Sequence, residues 1–395
     1  MKSPDQKRSF FSLKRVVASG AYIAEIDGLR FIAIASVVVF HLMRMTEIHL
    51  GDYQRTSSSF ANAMHQLLSH GYFGVQLFFF ISGFVLSLPY ARHFLAGAKQ
   101  ITYGTYLKRR VTRLEPPYLA ALLIRYKPVM VAKNIGFFQL FPHFLASVVY
   151  LNAVFYHDYS ILLGVAWSLE IEIQFYLLAP LLAKLIFTRK PWFRRTILLL
   201  LMVGSGFVQL SVPNRGFAFV HSLLFWDQFF FAGFLFADLY VMELANLKKK
   251  WAWDIVGLPM LLPFFWIGDH PMSIIGPTML LFMGIAAFKG KAFSYLLSRD
   301  WIAITGGMCY SIYLTHSLVV QFAYTLVPRI PLLHAFWPNT LAAEVIGLPL
   351  VFLVGAGFFI LIERPCMDKN WPRKLAALLS RRQQVEETAL RTQAK

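Results

Sequence analysis

Residues 71–90 read GYFGVQLFFFISGFVLSLPY, an apolar stretch without one acidic or basic side chain. At 1.5 Å of rise per residue, a helix of this length extends roughly 30 Å, the depth of a bilayer's hydrocarbon layer. Phe78, Phe79 and Phe80 are consecutive, so the greasy surface runs all round the helix instead of forming one stripe. Comparable runs occur on both sides: 28–45 before it, then 114–131, 165–187, 196–212, 222–242, 255–268, 273–288, 301–327 and 341–362. That makes about ten expected spans. The pair at 255–268 and 273–288 is short and carries Pro259, Pro263, Pro271 and Pro277. A further apolar stretch, 137–156, is interrupted by Pro142, His143 and Asn152, and reads as an interfacial or re-entrant segment.

Composition agrees. Of 395 residues, 57% are apolar and 15% charged, against roughly 45–50% and about 25% in soluble domains. The 38 phenylalanines and a mean hydropathy of +0.55 exclude a soluble enzyme. The expected class is an all-α polytopic membrane protein. A net charge of +18 could suggest nucleic acid, but the basic residues come in short clusters between apolar runs and form no continuous face. Cys309 and Cys366 lack metal-ligand spacing and read as buried or cytoplasmic thiols. The first apolar run has no small-residue cleavage site and reads as a retained span.

Basic residues orient the chain. With the N-terminus inside, the inner segments hold Lys7, Arg8, Lys14, Arg15, Arg92, Lys108, Arg109, Arg189, Lys190, Lys248, Lys249 and Lys250, with eight more after Glu363. The outer segments hold little beyond Arg44, Arg55, Lys133, Arg215 and Arg329. Both termini are expected in the cytoplasm, which requires an even number of crossings. The chain then divides into a cytoplasmic segment (1–26), a transmembrane domain (27–365) and a basic tail (366–395). In the tail, Leu375, Leu378 and Leu379 among Lys and Arg suit a helix lying on anionic membrane lipids.

Ionisable groups within or beside a span are costly, so each is a functional candidate. Arg30 and His41 stand eleven residues apart, close to three helical turns, on nearly one face and about 16 Å apart along the axis. An interfacial anchor and a hydrogen-bonded core histidine would leave the same pair. Arg110 and Arg113 stack three apart at the cytoplasmic entry to the third span, where guanidinium forks suit the phosphates of a polyphosphate ligand. A plain topology signal explains Lys108 and Arg109, but explains less well an Arg113 that abuts the apolar run. Glu170 and Glu172 point to different sides of the fourth span; a carboxylate near the depth of His41 could hold that imidazole in one tautomer. Ser311, Tyr310, Tyr313 and His316 form a polar stripe in the ninth span, which could equally be glue between helices.

Together these segments resemble the acyltransferase-3 family of integral membrane acyltransferases. The resemblance rests on Asp27-Gly28-Leu29-Arg30 followed by Phe40-His41, on residues 74–84, and on the Arg110-x-x-Arg113 element. It continues through Trp167-Ser168-Leu169, Glu172-Ile173-Gln174-Phe175-Tyr176, residues 310–316 and the closing Glu363-Arg364-Pro365. Two departures stand out: Ile173 where many members have a second Glu, and Leu314-Thr315-His316 for the usual Leu-Trp-His. Many members append a soluble esterase-like domain, and this chain looks like the stand-alone form.

The resemblance implies transfer of an acyl group, usually acetyl, from cytoplasmic acyl-CoA to a carbohydrate hydroxyl on O-antigen, lipopolysaccharide, exopolysaccharide or another surface glycan. The setting would be the bacterial inner membrane. Arg110 and Arg113, helped by Arg30, would hold the phosphates of acetyl-CoA. His41 would be the general base or first acyl acceptor, Glu172 an orienter or acidic partner, and His316 a second polar wall of the site. No metal is expected, because the histidines and carboxylates are scattered over several spans. The competing class is a permease for a lipid-linked glycan, using the same Arg, His and Glu as a relay.

Overall fold

The computed structural model describes residues 13, 22–212, 215–326, 335–368 and 371, and every regular element among them is helical. Most of the amphipathic tail expected at 366–395, with Leu375, Leu378 and Leu379, and most of segment 1–26 lie outside the described residues.

The first long helix, α1 (Ala24–Leu50), is followed by a short α2 (Ser59–Ser69), whose Ser58 cap accepts a hydrogen bond from the Ala61 N–H. A 3₁₀ turn at His70–Phe73 leads into α3 (Gly74–Ala96), which ends where Gly97 takes φ 68°, a conformation glycine adopts without strain. Thr102 caps α4 (Tyr103–Lys133). The stretch at 137–156 forms two short helices, α5 (Phe137–Val148) and α6 (Asn152–Tyr156), each far below the roughly 20 residues a crossing needs. Then come α7 (Trp167–Phe187), α8 (Pro191–Ser211), α9 (Phe217–Val220) and α10 (Leu223–Met242). The proline-rich run is broken into α11 (Trp251–Gly257) and α12 (Leu261–Phe264) before α13 (Asp269–Lys289). After α14 (Ala292–Leu297), the run at 301–327 is divided into α15 (Asp300–Gly307) and α16 (Cys309–Leu326), bent by 72°. The last long helix, α17 (Phe336–Phe358), passes through a π-helical turn, Phe359–Glu363, into α18 (Arg364–Cys366).

Among the described residues, six helical segments are long and apolar enough to cross a membrane, and the bent α15–α16 pair would be a seventh. The protein is a multi-pass membrane protein. Of the other expected spans, α4 carries Lys108, Arg109, Arg110, Arg113, Glu115, Arg125 and Lys127, α7 carries Glu170, Glu172 and Lys184, and α11–α12 is discontinuous.

The core explains the phenylalanine content. Helices α3 and α10 approach so closely that a Cβ on Gly83 would collide with the Phe230 backbone, and one on Gly233 with the backbone of Phe80 and Phe84. Around that crossing, Phe79 and Phe175 stack on Phe230 with ring centroids 4.8 and 4.2 Å away, and Phe84 meets Phe236 at 4.8 Å. Between lipid-soluble helices such close contact and dispersion must replace the hydrophobic effect as the cohesive force. At one end of the same bundle, buried Asp238 of α10 pairs with Arg194 and, at 2.7 Å, with Arg195, both on α8. One carboxylate shared by two guanidiniums offsets the cost of burying Asp238 and Arg194, while Arg195 stays partly exposed.

Candidate active site

Two adjoining cavities run along the axis of the bundle, both framed by α1, α3, α4, α7 and α16. Arg30 of α1, Ser82 and Leu86 of α3, Glu172 and Tyr176 of α7, and Cys309 and Tyr310 of α16 line the first, with Arg110, Arg113 and Glu363. The second takes residues further along each of those helices: His41, Tyr72 beside α3, Trp167, and His316 with Gln321, joined by Arg125 of α4. Val75, Phe78, Ser168 and Tyr313 border both. The order is the same on every helix, so the cavities stack end to end and share one partition.

In the first cavity the geometry is that of prepared guanidiniums. Lys108 and Arg109 are exposed, whereas Arg110 and Arg113 turn inward and are half-buried. Arg110 lies between two aromatic rings, its Cζ 5.9 Å from the Tyr106 centroid and 5.6 Å from that of Tyr176. Flanking rings restrict the rotamers of a long side chain while leaving its N–H fork available. Arg113 reaches to 4.0 Å from Glu363, whose other carboxylate oxygen accepts from the Ser311 N–H and hydroxyl at 3.0 and 2.5 Å. The π-helical turn delivers Glu363 to this place; an inserted residue of that kind often marks a working site. Arg30 is set by buried Asp27, one turn earlier, at 2.6 Å.

Glu172 also belongs to this cavity and accepts a hydrogen bond from the Ser82 hydroxyl. Sequence spacing suggested a carboxylate beside His41, and the structure sets Glu172 among the arginines instead. Its neighbour Glu170 is buried and accepts from the Ala153 N–H at 3.1 Å, so it anchors α6 to α7.

In the second cavity the rings of His41 and His316 lie 5.2 Å apart. His316 is fully buried, and its Nδ1 lies 2.8 Å from the Tyr313 carbonyl and 3.2 Å from that of Ile312. A carbonyl only accepts, so Nδ1 carries the proton and Nε2 keeps its lone pair. That Nε2 is buried with no hydrogen-bond partner among the described residues. Tyr313 also donates to the Val165 carbonyl at 2.5 Å and meets the Ser168 hydroxyl at 3.1 Å, fixing one wall of the partition.

Arg125 is the residue that sequence reasoning missed. It is 7% exposed, donates to the Leu162 carbonyl at 2.9 Å and lines the imidazole cavity. The signal was present as a lone guanidinium within the run at 114–131. Among the described residues, no group of three or more His, Cys, Asp or Glu is placed to hold a metal ion.

Comparison with known proteins defines the class. The chain belongs to the acyltransferase-3 family, whose model, described as an acyltransferase domain, matches residues 23–363. It is similar to O-acetyltransferase OatA of Staphylococcus aureus strain MRSA252, with 25% identity over 94% of this chain and 61% of that protein. It is also similar to SACOL0978 of strain COL, named there as a candidate O-acetyltransferase, with 23% identity over 77% of this chain and 52% of that one. The chain thus spans about three-fifths or less of the length of these relatives. No solved structure matches it.

Proposed function

We propose that the protein is an integral O-acyltransferase of the bacterial cytoplasmic (inner) membrane, carrying an acetyl group from cytoplasmic acyl-CoA to a carbohydrate hydroxyl. The acceptor is a surface glycan such as O-antigen, lipopolysaccharide or exopolysaccharide. The transmembrane domain is 27–365, with ten crossings and both termini inside. The observation that carries this reading is the end-to-end pair of cavities, one lined by guanidiniums and the other by imidazoles, meeting at Tyr313 and Ser168. A phosphate-bearing donor with a long thioester arm needs such a path.

Arg110 and Arg113 hold the donor's phosphates, and Arg30 lines the route inward. Glu172 is the acidic partner of this cluster through Ser82. His41 is the general base, with His316 as the ring that faces it. The base takes the acceptor hydroxyl's proton as its oxygen attacks the thioester carbonyl; the C–S bond breaks and the proton passes to the leaving thiolate, which departs as free coenzyme A. An acyl-histidine formed first would use the same residues.

The test is purified protein with acetyl-CoA and a surface-glycan acceptor, followed by free thiol and by mass spectrometry of the glycan. Thiol release with a 42-dalton gain per transferred acetyl is expected. A permease would give neither.

A further inference from the structure

A third cavity lies beside the imidazole cavity, outside the machinery described above. Gln76 of α3, Gln209 of α8, Trp226 of α10, Asp269 and His270 of α13, and Arg215 line it. Four of these groups are partly committed, and what remains free defines a chemistry. The Trp226 indole N–H donates to the Val220 carbonyl at 2.8 Å, and its half-buried ring, packed beside Phe79, Trp167, Phe225 and Phe229, forms the aromatic wall of the cavity. Gln209 accepts from the Gln228 amide through its oxygen, leaving its own amide as a donor. Arg215 spends Nε on the Val212 carbonyl at 2.7 Å and lies 5.2 Å above the Phe225 ring, which leaves the outer end of its fork. One Asp269 oxygen accepts from the Tyr72 hydroxyl at 2.5 Å, and the other stays an acceptor.

An aromatic face ringed by several donors and an acceptor suits a ligand with an apolar C–H face and hydroxyls at its edge. The Asp269 carboxylate offsets the Arg215 charge, which counts against a free phosphate or a lipid phosphate. The cavity is also coupled to the imidazole cavity. Trp167 lines that cavity and lies 5.7 Å, ring to ring, from Trp226. Tyr72 lines it too and holds Asp269. Two adjacent compartments with touching aromatic walls match two adjacent sugars.

We infer that this third cavity is a second sugar subsite, so that the acceptor is an oligosaccharide or longer glycan: one sugar enters the imidazole cavity for acylation and its neighbour rests on Trp226. This rests on the reading of the protein as a glycan acyltransferase. The test uses the full chain in detergent, radiolabelled acetyl-CoA, and mono-, di- and tetrasaccharide fragments of the producing cell's surface polysaccharide. The tetrasaccharide should be acetylated with a KM about tenfold below that of the monosaccharide. Trp226→Ala should raise the tetrasaccharide KM about tenfold, and Trp226→Phe, which keeps an aromatic face, should recover most of it. Because Trp226 also packs in the core, Arg215→Gln and His270→Gln at the rim serve as second variants, each raising the same KM severalfold. A wild type that acetylates mono- and tetrasaccharide with equal KM, or variants that leave the tetrasaccharide KM unchanged, overturns the subsite. If no fragment is labelled and no thiol released, the acyltransferase reading fails by itself. Equilibrium binding of the unlabelled tetrasaccharide then decides the subsite: binding lost in His270→Gln and Arg215→Gln upholds it, and no binding to the wild type removes it.

Discussion

His316 has its tautomer written by the backbone: Nδ1–H is tied to the Tyr313 carbonyl, and Nε2 looks out with a free lone pair. His41 faces it at 5.2 Å, and among the described residues no carbonyl ties either of its nitrogens in this way, so it can exchange a proton on whichever side the acceptor presents. Replacing His41 by Gln keeps a hydrogen-bonding head and loses the base; glycan acylation should fall by about 10²-fold or more at matched protein level in the membrane. Near-normal acylation would move the base to His316. At Arg110, lysine keeps the charge but loses the flat fork held between Tyr106 and Tyr176. Arg110→Lys and Arg113→Lys should each raise the acetyl-CoA KM about tenfold, with alanine costing more at each position. Normal donor affinity in both alanine variants would reduce the cluster to a topology signal.

These residues also show what sequence can reach. Arg30, His41, Arg110, Arg113 and His316 declared themselves because a charge or imidazole at the edge of an apolar run has few cheap explanations. The partnership of Glu172 did not, since spacing along one helix fixes a direction but not which neighbour stands there; Ser82 lies ninety positions away and took it. Arg125 was lost among ordinary charges because Lys127 follows it closely.

At the scale of elements, the apolar runs located the long helices, while their breaks were harder to foresee. Prolines announced the division between α11 and α12. The 72° bend between α15 and α16 has no proline; it falls after Gly306 and Gly307, where α15 presses so closely on α1 that a Cβ on Gly306 would strike the Asp27 backbone. Packing set that angle. The α3–α10 crossing has the same dependence on small residues. Gly233→Leu should therefore force the two helices apart, at a cost of about 1–3 kcal/mol or more, and lower the folded yield in detergent. Thermal unfolding followed by size-exclusion chromatography measures it, and an unchanged midpoint would show that the helices can separate freely.

For the whole molecule, the basic-residue asymmetry and the alternating direction of the helices make one prediction together. A reporter active only outside the cytoplasmic membrane should work when inserted at residues 56–59, where the loop enters α2, and stay silent when fused after Lys395. The reverse pattern would invert the protein and place the arginine cavity on the side that lacks coenzyme A.

The partition formed by Val75, Phe78, Ser168 and Tyr313 has a further consequence. Two chambers stacked through the thickness of a bilayer are nearly a pore, and a cell that stores energy as voltage and a proton gradient must keep them insulated from one another. Phe78 is the largest apolar member of that seal. Phe78→Gly should make liposomes containing the protein dissipate an imposed pH gradient several times faster than those with the wild type, as read by an entrapped dye, even when no substrate is present. Equal decay rates would mean that insulation resides elsewhere in the wall.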